Sequence, residues 1–330
     1  MSIGQVAKVT DTGRKRRRNE DAYVVQPPLF AVADGMGGAQ AGEVASKLAK
    51  AALEDTDPGA LSGPERVISL IQEANRRVHE RSNADPATSG MGTTMTVALV
   101  EGSSVAIGHV GDSRAYLVRD GRLEQLTEDH SLVNELLKSG KLSPEEAETH
   151  PQRSVITRAV GTDPDVDVDS FTIDTQEGDI FVICSDGLTD MVDDDDLLDV
   201  IEHNLGDLDH AARELVGAAN RGGGEDNITV VAFEIVPDGS DAEETVRLPA
   251  AAENADEDTL DGQHSAPRVD TMVVPPERVD AFTVSADGAA AVDYSDGRDR
   301  LQRRARLQLV LTILLLLAVA AGLILWELLR

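Results

Sequence analysis

The chain is poor in cysteine, in aromatics and in positive charge. Its 330 residues hold one cysteine, Cys184. No disulfide within the chain is possible, and the globular part is expected in a reducing compartment. Cys184 closes the apolar run 180–184, and Asp190 stands six residues on, where a cysteine phosphatase needs an arginine to close its phosphate loop. The thiol therefore reads as an inert strand residue. Aromatics make up 3% and arginine outnumbers lysine, a bias that a GC-rich genome and a high-salt cytoplasm would both produce. Thirty basic residues against 60 acidic ones leave a formal net charge of -30. That excludes nucleic acid as a partner, because phosphate backbones need cationic surfaces. An anionic substrate must be captured locally, against the overall field. No apolar run follows the basic residues Arg14 to Arg18, so no signal peptide is expected.

The long hydrophobic run lies at the other end. Residues 309–326 carry no charge, and residues 307–329, at about 1.5 Å each, suffice for a hydrocarbon core of about 30 Å. Arg300, Arg303, Arg304 and Arg306 precede the run and only Arg330 follows. The positive-inside rule then keeps the large N-terminal part cytoplasmic. The expectation is a single-pass C-terminal anchor in the cell membrane with a basic juxtamembrane segment, 300–306. Before it, residues 237–299 hold 16 acidic and 4 basic residues and two aromatics, too little apolar surface to offset ordering, so they read as a disordered linker. Within this linker Glu244-Thr245-Val246, Asp258-Thr259-Leu260, Asp270-Thr271-Met272 and Phe282-Thr283-Val284 recur every 12 to 14 residues. Either this is chance, or it is a ladder of phosphorylatable threonines offered to a kinase or a phosphothreonine-reading domain.

Residues 1–236 have globular texture. Strands are expected at 6–10, 22–26, 29–33, 93–100, 103–110, 115–119, 179–184 and 228–235. Helices are expected at 42–53, 64–83, 129–140, 144–149, 193–205 and 208–221. Clustered antiparallel strands with helices between them point to sheet layers covered by helices. Asp120-Gly121 reads as a turn, and Asp193 to Asp196 as the capped, acid-charged start of a helix. His109 and His130 read as structural histidines.

The chemistry sits in five aspartate motifs. They are Arg16-Arg17-Arg18-Asn19-Glu20-Asp21, Ala33-Asp34-Gly35-Met36-Gly37-Gly38, Gly111-Asp112-Ser113-Arg114, Cys184-Ser185-Asp186-Gly187 and Gly224-Glu225-Asp226-Asn227. Asp21, Asp34, Asp186 and Asp226 each stand where an expected strand meets a turn. Carboxylates gathered this way make an all-oxygen site for hard divalent cations. Two such ions about 3.5–4 Å apart activate water and offset phosphoryl charge, and an arginine nearby can clamp the phosphate in bidentate fashion. Gly35, without a side chain, leaves its carbonyl approachable.

These motifs, together with Gly92-Thr93-Thr94 and in this order, resemble those of the metal-dependent serine/threonine protein phosphatases, the type 2C family, over residues 1–236. The Asp-Gly-Met-Gly-Gly form, with Asp129-His130-Ser131 before a helical insertion, is similar to the bacterial branch that opposes Ser/Thr protein kinases. The resemblance implies an α/β sandwich of two antiparallel β-sheets flanked by helical layers. It implies two Mn2+ or Mg2+ ions, with Asp34 bridging both and Gly35 giving its carbonyl to one. Asp21 would act through water, Asp186 and Asp226 would hold the other ion, and Asp112 would serve a third, weaker one. Arg16 aligns with the phosphate-binding arginine, although Arg14, Lys15, Arg17 and Arg18 crowd around it and leave that alignment open by one or two positions. Met36 stands where some relatives carry a histidine proposed as a general acid, so a leaving-group proton here must come from water or another group. Residues 131–160 would form a mobile flap beside the site.

Phosphorylated proteins are then the partners, and a membrane-bound Ser/Thr kinase and its substrates are the ones the anchor favours. Two other readings stay open: the same fold acting on a sigma-factor regulatory switch protein, and a catalytically silent phosphoprotein-binding scaffold.

Overall fold

Apolar runs bounded by turn residues pair into two antiparallel sheets stacked face to face. The computed structural model describes residues 1–37, 41–56, 60–148, 150–239 and 272–273. In chain order the strands are β1 (Ser2–Asp11), β2 (Asp21–Gln26), β3 (Leu29–Met36), β4 (Gly92–Thr93), β5 (Met95–Glu101), β6 (Ser104–Val110), β7 (Arg114–Arg119), β8 (Arg122–Gln125), β9 (Val155–Ile156), β10 (Asp169–Asp174), β11 (Ile180–Cys184), β12 (Ile228–Val236) and β13 (Met272–Val273). The helices are α1 (Ala41–Asp55), α2 (Gly63–Ala84), α3 (Leu132–Lys138), α4 (Pro144–Glu148), α5 (Asp186–Thr189), α6 (Asp194–His203) and α7 (Leu208–Gly222).

One sheet runs β1-β12-β11-β7-β8 and the other β10-β6-β5-β3-β2, with the short β4 added to β3. Their facing sides share one core. Phe30, Val32, Ala98 and Ile107 from one sheet meet Leu117, Phe181, Ile183, Val231 and Phe233 from the other. Phe233 is its centre, stacked on Phe30 at 4.2 Å and on Phe181 at 5.1 Å between ring centroids. The outer faces are covered by helices. Val67, Leu70, Ile71, Ala74 and Val78 of α2 pack with α1 on the second sheet, and Leu197, Ile201, Ala212, Leu215 and Ala219 of α6 and α7 pack on the first. The sandwich of two sheets between helical layers is thus as expected.

Local chemistry accounts for the helix starts. Asp193 caps α6 by accepting from the Asp196 N–H at 2.8 Å, with acids through the first turn. Ser131 caps α3 by accepting from the Asn134 N–H at 3.2 Å, so that helix starts at Leu132 and not at Asp129. Asp120 and Gly121 both take positive φ, 50° and 70°, which suits the two-residue turn that folds β8 back on β7.

Four strands escape the sequence pattern, β9 and β13 because each is only two residues long. β8 and β10 are largely polar and lie at sheet edges with little buried surface, so alternation is weak in both. Of the acidic linker expected at 237–299, only residues 237–239 and β13 are described, and β13 pairs in parallel with β9. The apolar span 307–329 lies outside the described residues, among which no helix is long and apolar enough to cross a membrane.

Candidate metal centre

The two sheets bring the motif aspartates to one end of the sandwich. Asp21 opens β2 and is the direct cross-strand neighbour of Asp34 on β3. Asp186 stands two residues after β11, at the first position of α5, and Asp226 two residues before β12. Since β11 and β12 are paired neighbours, their ends deliver these two acids together. Asp112 lies in the turn between β6 and β7. The charges feel one another. Burial, then Asp21, Asp186, Asp226 and Asp112, raise the Asp34 carboxyl well above its ordinary range. Burial, then Asp112 and Asp226, do the same to Asp186. Burial pushes Asp21 up to about 6 against the hydrogen bonds it accepts. Burial with Asp129 and Asp190 nearby pushes Asp112 up to about 7.

Hydrogen bonds hold the acids, and in Asp21 and Asp186 they leave a carboxylate oxygen unspent, while both oxygens of Asp226 accept, from Arg16 and from the Asn227 N–H. Asp21 Oδ2 accepts from Ser185 Oγ at 2.9 Å and from Thr229 Oγ1 at 2.6 Å. Asp21 Oδ1 is buried with no hydrogen-bond partner, and so is Asp186 Oδ1. An orphaned buried carboxylate oxygen is costly, and two in one cluster are what a cation would satisfy. Asp34 is fixed through its backbone: its N–H donates to Thr94 Oγ1 at 2.9 Å, and its carbonyl accepts from the Thr94 N–H and Thr93 Oγ1, both at 2.8 Å. Gly35 sits against α1, where a Cβ would collide with the Gly42 carbonyl oxygen, and Gly187 against the Asn227 carbonyl oxygen. In both Asp-Gly pairs the glycine permits close backbone approach.

Arginine placement is equally specific. Backbone N–H groups of Arg14 and Lys15 donate to the Gly224 carbonyl at 2.7 and 3.1 Å. Asn227 ties down the rest of the loop: its Nδ2 donates to the carbonyls of Thr12 at 3.0 Å and Arg18 at 2.8 Å, and its Oδ1 accepts from the Glu20 N–H at 2.8 Å. Arg14, Lys15, Arg17 and Arg18 are exposed, while Arg16 is half-buried. Arg16 Nη2 donates to Asp226 Oδ2 at 2.6 Å, and its charge also acts on Asp34 and Glu20. Arg16 thus pairs with a motif aspartate, and Arg18 lies 3.9 Å from Glu43 of α1.

The donor set fits a hard divalent ion. It is all oxygen, it carries several formal negative charges, and it leaves two oxygens orphaned. Among the described residues no group of three or more acid, histidine or cysteine side chains is placed so as to hold a metal ion. Mg2+-type sites keep several waters in the shell, so side chains need not close around the ion before it binds.

Other candidates fall away. Cys184 is buried and its thiol is pushed up to about 12. His109 is buried, bonds Thr96 Oγ1 at 2.9 Å and the Glu128 carbonyl at 3.1 Å, and is pushed down to about 3 by burial and His130. Met36 packs with Ile156 and Ala159 and has no proton to give. Sequence reasoning assigned no role to Ser185, Asn227 or Thr229. Their signal was proximity, since each is a short polar residue within three positions of a motif aspartate.

Known proteins share this architecture. A family model described as Protein phosphatase 2C matches residues 13–216. The chain is 42% identical over 236 residues to the serine/threonine phosphatase Stp of Listeria welshimeri, covering 68% of this chain and 93% of that one. It is 39% identical over 253 residues to the serine/threonine protein phosphatase PstP of Mycobacterium tuberculosis, covering 76% of this chain and 48% of the relative. A crystal structure of the M. tuberculosis PstP superposes with a TM-score of 0.67 at 38% identity, over 72% of this chain and all of that one. A PstP catalytic domain solved with two manganese ions gives 0.65 at 36% identity, over 71% of this chain and 99% of that one.

Because the folded pKa values of these acids are raised, protonation favours the fold. That stability is present below the ordinary carboxylate range and is lost as pH rises through about 6 for Asp21 and about 7 for Asp112. For this cluster, the metal-free protein should melt lower at pH 8 than at pH 5. Saturating Mn2+ should restore more stability at pH 8 than at pH 5. Thermal melts with Mn2+ or EDTA at both pH values check this, and a metal increment independent of pH would count against it.

Proposed function

The chain belongs to the protein phosphatase 2C family, and from that premise we propose that it hydrolyses phosphoserine and phosphothreonine in proteins at a binuclear Mn2+ or Mg2+ centre. The observation that carries the proposal is the pair of orphaned oxygens, Asp21 Oδ1 and Asp186 Oδ1, in a cluster of half-buried acids. Asp34 would hold both ions, with the Gly35 carbonyl on one of them. Asp21 would act through water on one of them, Asp186 and Asp226 would hold the other, and Asp112 a third.

When bound, the ions lower the pKa of water and offset charge on the phosphoryl oxygens. The remaining work falls to the chain. Ser185 and Thr229 orient Asp21 by donating to one oxygen, which keeps the other turned to the site. Arg16 is poised to exchange part of its pairing with Asp226 for the phosphate. A guanidinium has five donors in a planar fork, so it can keep a carboxylate and take an anion. Its loop also reverses the field locally in a domain that carries 43 acidic and 21 basic residues over 1–236. With methionine at 36, the leaving alkoxide must take its proton from water or another group.

The same reading puts the catalytic domain at the cytoplasmic face of a membrane through residues 307–329. There it would oppose a membrane-bound Ser/Thr kinase, and its tail threonines would be open to phosphothreonine readers. The supports are the uncharged run 309–326 and the arginines before it.

Phosphate release from a phosphothreonine peptide should require Mn2+ or Mg2+ and vanish in EDTA. Asp186→Asn should reduce it to near background. Arg16→Ala should lower kcat/KM by about 10- to 100-fold, the value of a charged hydrogen bond of roughly 1.5–3 kcal/mol. Full turnover in EDTA or in Asp186→Asn would exclude the two-ion reading. In vesicle flotation, the full chain should rise with lipid, and a chain lacking residues 300–330 should stay in the dense fraction. Flotation of both, or of neither, would remove the case for the anchor.

A further inference from the structure

The parallel pairing of β13 with β9 joins a tail motif to the edge of the expected flap. Met272 stands opposite Val155 and Val273 opposite Ile156. In the tail, Met272-Val273-Val274 is the one place where three consecutive apolar residues are all larger than alanine, and Pro275-Pro276 follows at once. That is the pattern of a short strand with a built-in stop. It is also one of the recurring threonine motifs, since Thr271 directly precedes it.

The seat lies one layer from the carboxylates. Ile156 packs with Met36, two residues after Asp34. Ile156 also bridges Ser131, and the Thr157 N–H donates to the His130 carbonyl at 2.7 Å. Arg153, just before β9, pairs with Asp190 at 3.4 Å, and Asp190 acts on Asp186. Successive N–H groups of a strand point to opposite sides. With Thr157 turned to His130, the Ile156 N–H faces the free edge of β9.

We propose that this edge is a peptide-docking site which takes the chain's own segment 272–273 by strand addition, and that phosphoprotein substrates compete with the tail for it. Main-chain hydrogen bonds give such docking its affinity. The 35 residues between Val236 and Met272 make the contact intramolecular, with an effective concentration on the order of millimolar. Even a weak two-residue strand is then occupied for a substantial fraction of the time. Substrates must displace it, so the tail raises KM and leaves kcat alone.

The competition, though not the docking, rests on the phosphatase reading above. Full chain in detergent should be compared with Met272→Pro/Val273→Pro and with Thr283→Pro/Val284→Pro in another repeat. N–H groups alternate, so replacing both 272 and 273 removes a ladder donor whichever faces β9. The first variant should speed hydrogen exchange at the Ile156 amide and lower KM for a phosphothreonine peptide about two-fold or more, with kcat unchanged. The second should match the parent. Unchanged exchange in the first variant would overturn the docking, and faster exchange with unchanged KM would overturn the competition. Para-nitrophenyl phosphate, too small to need the edge, serves as the reference. If no variant hydrolyses it with Mn2+, the catalytic reading has failed, and the exchange result still decides the docking.

Discussion

Like charge concentrated in a half-buried place is the constraint around which this protein is organised. Burial is the leading cause of the raised pKa at Asp21, Asp34, Asp112 and Asp186, and the neighbouring motif acids add to it at Asp34 and Asp186. Without a counterion the cluster opposes folding, and it persists because the rest of the structure is strong enough to hold it. The Phe30–Phe233–Phe181 stack and the apolar faces around it lock the two sheets together. The acids sit where the strands leave that core. The paired strands β2–β3 and β11–β12 aim their ends at one place, so any ion bound there ties both sheets.

The second layer of the site follows from the same constraint. Thr229 and Ser185 satisfy only one oxygen of Asp21, and Thr93 and Thr94 satisfy only the backbone of Asp34. The residues around the acids fix their position and leave ligand atoms open, as expected where the outer shell orients the ligands. Arg16 balances part of the charge by pairing with Asp226, and Asn227 holds the loop that carries it. A strongly acidic protein can in this way capture an anion, because a small local reversal of field matters more at the site than the net charge does.

The periodicity of strands and helices made helix-covered sheet layers legible, the aspartates at strand ends made a divalent-ion site legible, and the two-sheet sandwich came from the family resemblance. Arg16 could be told from its four basic neighbours only in three dimensions. The backbone bonds of Arg14 and Lys15 to Gly224 decide which side chain turns inward, and nothing in the local pattern encodes them. The direct pairing of Asp21 with Asp34 depends on register, which a run of apolar residues leaves open until the hairpin forms. β8 and β10 are polar edge strands whose partners supply the order that their own sequences lack. β13 is the sharpest case: a composition that reads as disordered over 237–299 still contains a run of three apolar residues able to add to an existing edge.

The most direct test of the carboxylate cluster as a divalent-ion centre is anomalous diffraction at the manganese edge, from crystals of this protein grown with Mn2+. The account predicts at least two peaks about 3.5–4 Å apart, with Asp34 between them, Asp186 and Asp226 on one, and the orphaned oxygen of Asp21 turned toward the other through water. Peaks elsewhere on the acidic surface, with the cluster free of metal, would contradict it.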